Sequence, residues 1–344
     1  MRINILEEGA PAYVEDPRLR DGVRVHVSMP CPLKVPFKQF FAPFVERYNA
    51  ERPDKPVSCS DLTDCASQDI EFLLRARREE GDFPDVIVTN NYSVFFTHGF
   101  SDRFLKTGLY TGLTRPDDLD ALPEKIRAGV LRSGIGILCF MSWSVVQDLT
   151  VPGVPAVDSW AELLDSGLGL TVHGHVDKAP FGLMYFLRER FGDEGIVRFA
   201  KSVVDIKHFS QTIKRFGSGD PHRTAYSLLP DVAVARIPSH KKVRVPAMKE
   251  GRLLNPVMMV ARTSRLEECR PVIDQFWNDE FRALLRGGCI LPGDLDGETS
   301  YSLADFGELE TGLGRMEADF ARLYLDNLDF GKINERATPG GVCR

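Results

Sequence analysis

Residues 135–146, IGILCFMSWSVV, and residues 254–261, LNPVMMVA, are two long apolar segments, and each predicts a β-strand. Between them an α/β pattern begins near Ser159, a residue type that favours a helix N-cap. An earlier apolar strand, Asp85–Thr89 (DVIVT), belongs to a run in which strands alternate with helices, as in parallel βαβ units. The sequence therefore predicts an α/β protein with a second domain inserted into the first, and with the two long strands as crossing segments.

The predicted domain boundaries follow from the positions of these two long strands. Lobe I is predicted from residues 1–132 and 256–344, and lobe II from the inserted residues 133–255. The helical spacing of apolar residues across 316–328 is expected to pack on lobe I. Further strands are predicted at 23–29, 55–58 and 168–173, and helices at 37–48, 61–78, 159–164, 180–191, 193–203, 209–216 and 266–286. The proline-rich residues 30–36 predict irregular backbone, and residues 331–344 predict a frayed tail.

Composition excludes several classes of function. The 344 residues carry 43 Lys and Arg against 49 Asp and Glu, a net charge of −6, which disfavours nucleic-acid and anionic-lipid partners. Seven cysteines form no C-x-x-C pair, which indicates reduced thiols rather than a disulfide framework or a structural zinc site. Residues 1–22 are acidic and contain Pro11 and Pro17, and no apolar run reaches the roughly 18 residues of a membrane span. We therefore expect a cytoplasmic protein with no direct membrane insertion.

Four segments carry a family resemblance. They are DFPDVIVTNN at 82–91, SWAELLD at 159–165, KEGRLLNPVMMVAR at 249–262 and RPVIDQFWNDEFRALLRGGCILP at 270–292. In this order they resemble the class II periplasmic-binding-protein fold of ABC-transporter substrate-binding proteins, in the branch that includes ferric-ion and small-anion binders. The resemblance covers about residues 23–293. It implies a two-lobed fold of mixed sheets flanked by helices, two hinge-crossing segments, a small-molecule ligand and an ABC permease as a partner.

Ligands of open α/β sheets bind beyond the carboxyl ends of the strands. Three loops are predicted there, at 29–35, 89–94 and 173–181, together with polar residues of the two crossing strands. The candidate ligand-binding residues are Pro30, Cys31, Lys34, Thr89, Asn90, Asn91, Tyr92, Ser142, Trp143, His173, His175 and Asn255.

Each group has a functional and a structural interpretation. Residues 89–92 offer hydroxyl and amide groups to a polar ligand, but the same residue types also favour turns and caps. His173 and His175 could ligate a metal, bind an anion or be ordinary loop histidines. Cys31 could be a nucleophile whose thiolate Lys34 favours, or a small side chain packed under a helix.

Three functions remain open at this point. The first is a solute-binding protein that closes two lobes over a small polar or anionic ligand and performs no chemistry. The second is a cytosolic enzyme or cofactor-handling protein on the same scaffold, which would use Cys31, Tyr92, His173 and His175. The third is a metal carrier that uses His173, His175 and Tyr92. No phosphate-binding loop, dinucleotide turn, H-E-x-x-H or G-x-S-x-G motif occurs, so no cofactor is expected, and nucleotide-dependent and common hydrolase classes are disfavoured.

Overall fold

The computed structural model describes residues 22–29, 31–59, 70, 80–91, 95, 99–174, 181–295, 300–302 and 313–336. The chain forms two compact units. Unit 1 holds the described residues of Met1–Phe140, Pro256–Leu295 and Ala304–Gly314. Unit 2 holds those of Met141–Asn255, Asp296–Leu303 and Arg315–Arg344.

Strands and helices alternate through much of the chain. The strands are β1 (Val23–Ser28), β2 (Val57–Cys59), β3 (Val86–Thr89), β4 (Tyr110–Gly112), β5 (Gly136–Asp148), β6 (Leu170–His173), β7 (Val203–Lys207), β8 (Tyr226–Pro230), β9 (Val243–Arg244), β10 (Arg252–Arg262) and β11 (Ser300–Ser302). The helices are α1 (Cys31–Glu51), α2 (Pro116–Ala121), α3 (Glu124–Ser133), α4 (Trp160–Asp165), α5 (Phe181–Ser202), α6 (Phe209–Arg215), α7 (Asp231–Val234), α8 (Leu266–Trp277), α9 (Asp279–Arg286), α10 (Leu313–Leu325) and α11 (Phe330–Arg336). None of the helices within the described residues has the length and hydropathy that a membrane span requires.

Unit 1 is built on strands in the order β2-β1-β3-β10. β1 runs parallel to β2 and β3, and β10 runs antiparallel to β3. Because Ser28 pairs with Thr89, β1 and β3 end side by side. Aromatic side chains fill the core between α1 and the later helices: the ring of Phe37 lies 5.1 Å from that of Phe41 and 6.0 Å from that of Phe276.

Unit 2 is built on strands in the order β5-β8-β6-β7. β6 runs parallel to β7 and β8, whereas β5 runs antiparallel to β8. The chain boundaries between the units fall within β5 and β10, the two long strands that the sequence predicted. The large buried side chains of this core include Trp160, Phe186, Phe199, Phe320 and Tyr324.

Two helix predictions were wrong in their bounds. Residues 31–36 belong to α1 instead of being irregular, because Pro32 lies in the first helical turn, where the N–H groups have no intrahelical acceptor and proline is tolerated. The helix continues through Pro36 and Pro43. The single helix predicted over 266–286 is two helices, since Asn278 begins α9 by accepting a hydrogen bond from Phe281 N–H at 2.8 Å.

The C-terminal region also differs from its prediction. Phe320 and Tyr324 of α10 are buried in the core of unit 2, although residues 256–344 were assigned to lobe I. An amphipathic pattern specifies that a face is buried, not which core receives it. Residues 331–336 form most of α11 instead of a frayed tail; residues 337–344 lie outside the described part of the chain.

Candidate ligand-binding site

The carboxyl ends of three parallel strands meet along one edge of unit 2. β6 ends at His173, which pairs with Lys207 at the end of β7. β8 ends at Pro230, and the antiparallel β5 brings Trp143 opposite that proline. His208 directly follows β7, and the residue after Pro230 is an aspartate. We call this the unit 2 carboxyl edge; it is the position where open α/β sheets bind ligands.

Four half-buried rings lie together at this edge, and we call them the ring cluster: Trp143, His173, His208 and Phe209. The ring centroids of Trp143 and His173 are 6.0 Å apart, with 31° between the planes. His173 lies 5.5 Å from His208 and 5.6 Å from Phe209, both nearly perpendicular to it. The ring cluster is therefore a continuous aromatic and imidazole surface with part of each residue still exposed.

Backbone groups at the start of α6 orient the two imidazoles. Phe209 N–H lies 3.2 Å from Nδ1 of His173, and a backbone N–H can only donate. The carbonyl oxygen of Lys207 lies 3.4 Å from the same nitrogen. Nδ1 accepts from Phe209 in one tautomer of the ring and donates to Lys207 in the other, so both contacts hold the imidazole at the strand end. His208 is the N-cap of α6, where its Nδ1 lies 2.8 Å from the Ser210 hydroxyl oxygen. The rings are thus held by the strand ends and by the helix that follows them.

A carboxylate lies at the same edge. Asp231 is half-buried and begins α7 directly after β8. Ser144 Oγ donates a hydrogen bond to its Oδ1 at 2.5 Å, and Ser142 Oγ donates to its Oδ2. Among the residues that the structure describes, no Lys, Arg or His nitrogen lies within 4 Å of this carboxylate. Asp231 therefore orients two serine hydroxyls while its charge has no protein counterion in that part of the chain.

The unit 1 carboxyl edge carries the other predicted polar cluster. Thr89 is fully buried, and its Oγ1 accepts a hydrogen bond from Asn91 N–H at 3.0 Å, which closes a local turn. This supports the structural interpretation for the Thr89 hydroxyl. Asn90, Asn91 and Lys34 are half-buried, and Lys34 lies in the first turn of α1.

The predicted site residues thus fall into two groups. Ser142, Trp143 and His173 lie at the unit 2 carboxyl edge, whereas Lys34, Thr89, Asn90 and Asn91 lie in unit 1. Asn255 is half-buried on β10. Pro30, Tyr92 and His175 lie outside the described residues, and of Cys31 only the backbone is described, as the first residue of α1. Their proposed roles in ligand binding, catalysis or metal ligation stay predictions.

Three residues of the unit 2 edge were missed by the sequence analysis: His208, Phe209 and Asp231. They follow β7 and β8, two strands that were not predicted. Residues 203–207 (VVDIK) were assigned partly to a helix, and residues 226–230 (YSLLP) to no element. The first begins with two valines, the second contains two leucines, and each is followed by a polar residue, which is the signal that the sequence offers.

A small polar cleft elsewhere in unit 2 is too small for a solute. It has a volume of about 10 Å³ and lies between α6 and the amino-terminal parts of β6 and β8. Its lining is polar, with Asp148, Thr171, Thr212, Arg215, Phe216, Arg223, Thr224 and Ser227. That volume is about the size of one water molecule, so this cleft does not compete with the carboxyl edge as a ligand site.

Comparison with known proteins identifies the family. A model of the bacterial extracellular solute-binding protein family matches residues 81–303. The chain belongs to this family. No match was found among the curated proteins. Family membership confirms the resemblance to substrate-binding proteins of ABC transporters and makes this chain a solute-binding protein.

Solved structures confirm the fold. A periplasmic thiamin binding protein aligns with a TM-score of 0.56 at 16% identity, over 88% of this chain and 96% of that one. AfuA from Actinobacillus pleuropneumoniae, with exogenous fructose-6-phosphate bound, gives 0.60 at 10% identity, over 89% and 98%. Apo FutA2 from Synechocystis PCC6803 gives 0.58 at 11% identity, over 89% and 98%. The predicted α/β fold of periplasmic binding proteins is therefore correct.

Two of the segments that carried the resemblance support the frame of this solute-binding protein. Ser159 is the N-cap of α4, and its hydroxyl accepts a hydrogen bond from Glu162 N–H at 3.1 Å. The carboxylate of Glu250 accepts from Trp160 N–H at 3.0 Å. Segments 159–165 and 249–262 thus join at the start of one helix, where carboxylates are stabilised by exposed N–H groups and the helix dipole. These contacts stabilise unit 2.

Proposed function

We propose that this solute-binding protein captures a small polar organic solute at the carboxyl edges of its strands and presents it to an ABC permease. The observation that carries the proposal is the unit 2 carboxyl edge. There, half-buried rings and an oriented carboxylate lie at the ends of neighbouring strands in a member of the solute-binding family.

Related proteins support an organic solute. One structural neighbour is a thiamin binding protein, and another was solved with fructose-6-phosphate bound. Both ligands are small and polar. The ring cluster provides flat apolar surface together with imidazole nitrogens, a combination that suits a ligand having both a ring and polar groups.

The direct test is to identify what the purified protein holds. We expect native mass spectrometry to show the protein with a bound organic solute, released under denaturing conditions and identified by its mass. Trp143→Ala and His173→Ala should each weaken binding of that solute by about ten- to a hundredfold, since a buried polar or stacking contact contributes roughly 1–3 kcal/mol. His240→Ala, at an exposed histidine of the same unit, is the matched control and should bind normally.

Two results would contradict the proposed function. The first is a protein that purifies empty and shows no rise in melting temperature with any member of a solute library. The second is retention of normal affinity by both Trp143→Ala and His173→Ala, which would place the solute elsewhere.

The closing of two lobes, the absence of a cofactor and the cytoplasmic location stay predictions. Elemental analysis of the purified protein tests the metal-carrier alternative, for which one equivalent of a transition metal would be required. Subcellular fractionation tests the location, and recovery of the protein outside the cytoplasm would show that prediction to be wrong.

A further inference from the structure

We propose that the solute carries a planar ring with a positive charge or N–H donors, which stacks on the ring cluster while Asp231 supplies the opposite charge. The inference rests on the proposed function and deepens it by naming the class of solute. It differs from the small anion that the sequence analysis included among the expected ligands.

The first step is the shape and chemistry of the surface. Trp143, His173, His208 and Phe209 are half-buried and joined by ring contacts beside the carboxyl ends of β6, β7 and β8, with Trp143 in contact with His173. Aromatic faces carry negative electrostatic potential and attract cations, most strongly at Trp. A flat cationic ring gains from stacking and from this attraction together.

The second step is the surplus of acceptors. The Asp231 carboxylate has about four lone-pair sites and accepts one hydrogen bond on each oxygen, from Ser142 and Ser144. Each serine spends its only O–H on that bond, so its oxygen offers a ligand lone pairs alone. A group of acceptors without a counterion favours a ligand that donates hydrogen bonds and carries positive charge.

The third step concerns the basic groups of the neighbouring strands and helix. Lys207 Nζ lies 3.2 Å from Asp205 Oδ1, and Arg215 Nη1 lies 2.7 Å from Asp205 Oδ2. Arg215 Nε also lies 2.8 Å from Asp220. These two cations are matched by two carboxylates, so in the described part of unit 2 they provide no surplus positive charge that would select an anion.

The experiment varies charge on one ring. The probes are 1-methylnicotinamide, a cation; nicotinamide, which is neutral; and nicotinate, an anion. Their affinities are measured by isothermal titration calorimetry on the full chain. We expect the cation to bind at least about tenfold more tightly than nicotinate, because charge-assisted hydrogen bonds are roughly twice as strong as neutral ones and the anion would face a carboxylate of like charge.

Three variants distinguish the contribution of the Asp231 charge to binding from the contribution of the ring contact. Asp231→Asn should weaken binding of 1-methylnicotinamide about tenfold or more and change nicotinamide binding by less than about threefold. Asp165→Asn, at an exposed carboxylate of the same unit that pairs with Arg198, changes net charge equally and should have no effect. Trp143→Ala should weaken the cationic and the neutral probe alike, since both lose the ring surface.

The outcomes distinguish this inference from the proposed function. Nicotinate binding as tightly as the cation, or equal behaviour of Asp231→Asn and Asp165→Asn, overturns the inference. If no probe binds, the solute identified by mass spectrometry decides: a cationic or N–H-bearing planar ring supports the inference, and any other solute overturns it while the proposed function stands. A protein that binds no solute of any kind overturns both.

Discussion

Two aspartates, Asp85 in unit 1 and Asp231 in unit 2, lie beside strand ends in opposite chemical situations. Asp85 is fully buried and precedes β3. Its carboxylate lies 3.7 Å from Arg24 Nε, 3.1 Å from Arg262 Nε and 3.0 Å from Arg265 Nη1. Asp231 is half-buried, follows β8 and contacts only neutral hydroxyls among the described residues.

Backbone groups also form hydrogen bonds with Asp85 and with the arginines around it. Arg24 Nη2 donates to the carbonyl oxygens of Gly81 and Phe83, each at 2.8 Å, and Arg262 Nη2 donates to Phe83 O at 2.9 Å. Arg24 N–H donates to the carboxylate of Asp85 at 2.8 Å. These hydrogen bonds and ion pairs tie the carboxylate and the guanidinium groups to one another and to the backbone of unit 1, so the network joins β1, β3 and β10.

The comparison shows that a carboxylate near a strand end is not by itself evidence of a binding site. What differs is the number of protein cations that neutralise the charge. Asp85 comes from segment 82–91, one of the four segments that carry the family resemblance, and its carboxylate is structural. Asp231 comes from a segment that the sequence analysis did not select.

The largest effect is expected from neutralising Asp85. Asp85→Asn should destabilise the fold by about 3–5 kcal/mol, because it leaves buried guanidinium groups without their counterion. Urea unfolding measures the loss. Asp274→Asn, at an exposed ion pair with Arg270 in the same unit, should cost at most about 1 kcal/mol. If Asp85→Asn and Asp274→Asn were equally stable, the buried Asp85 carboxylate would contribute no more to stability than an exposed one.

The next effect is a pH dependence of unit 1. Burial of His26 on β1 lowers its pKa to about 3, so the folded protein keeps this imidazole neutral while the unfolded chain protonates near 6.5. Its contribution to stability is complete above pH 6.5 and falls as the pH drops from 6.5 towards 3. At pH 5 the loss is about 2 kcal/mol.

His26→Phe tests this dependence, because it removes the titrating group and keeps a buried ring. The variant should lose less stability than the wild type between pH 7 and pH 5, as measured by urea unfolding at each pH. His240→Phe, at an exposed histidine, should behave like the wild type. Identical slopes for wild type and His26→Phe would show that other groups cause the acid sensitivity.

A smaller loss is expected when one of the three arginines is removed. Arg265 is half-buried, and its Nη1 also donates to Gly22 O at 3.0 Å. Arg265→Met should cost about 1.5–2 kcal/mol, the lower end of the range for hydrogen bonds to charged groups, since Arg24 and Arg262 still face Asp85. A loss as large as that of Asp85→Asn would mean that all three cations are required for neutralisation.

The smallest effect on stability is expected at Asp231. Asp231→Asn should change the free energy of unfolding by less than about 1 kcal/mol, because the amide replaces the carboxylate with one acceptor and one donor for the two serines. The same urea measurement as for Asp85→Asn places both aspartates on one scale. A loss of about 3 kcal/mol or more would show that Asp231 is a structural charge like Asp85.

Much of the frame could be predicted from local pattern. The strands β3, β5 and β10 are largely apolar runs, β1 and β6 alternate apolar and polar residues, and Ser159 caps α4 as its residue type predicted. The start of α1 at Cys31 was missed because prolines signal irregular backbone, although a first helical turn tolerates them. The burial of α10 in unit 2 could not be predicted, because helical periodicity does not name the opposing surface.

The sequence by itself determined the family, the α/β class and three residues of the unit 2 edge, Ser142, Trp143 and His173, because strand propensity and the carboxyl-end rule act locally. Only the tertiary structure decided which residues they contact. Ser142 and Asp231 are 89 residues apart in the chain, and they join because β5 and β8 pair antiparallel. The order of strands in a sheet depends on non-local hydrogen bonding and packing, which no local pattern of residues records.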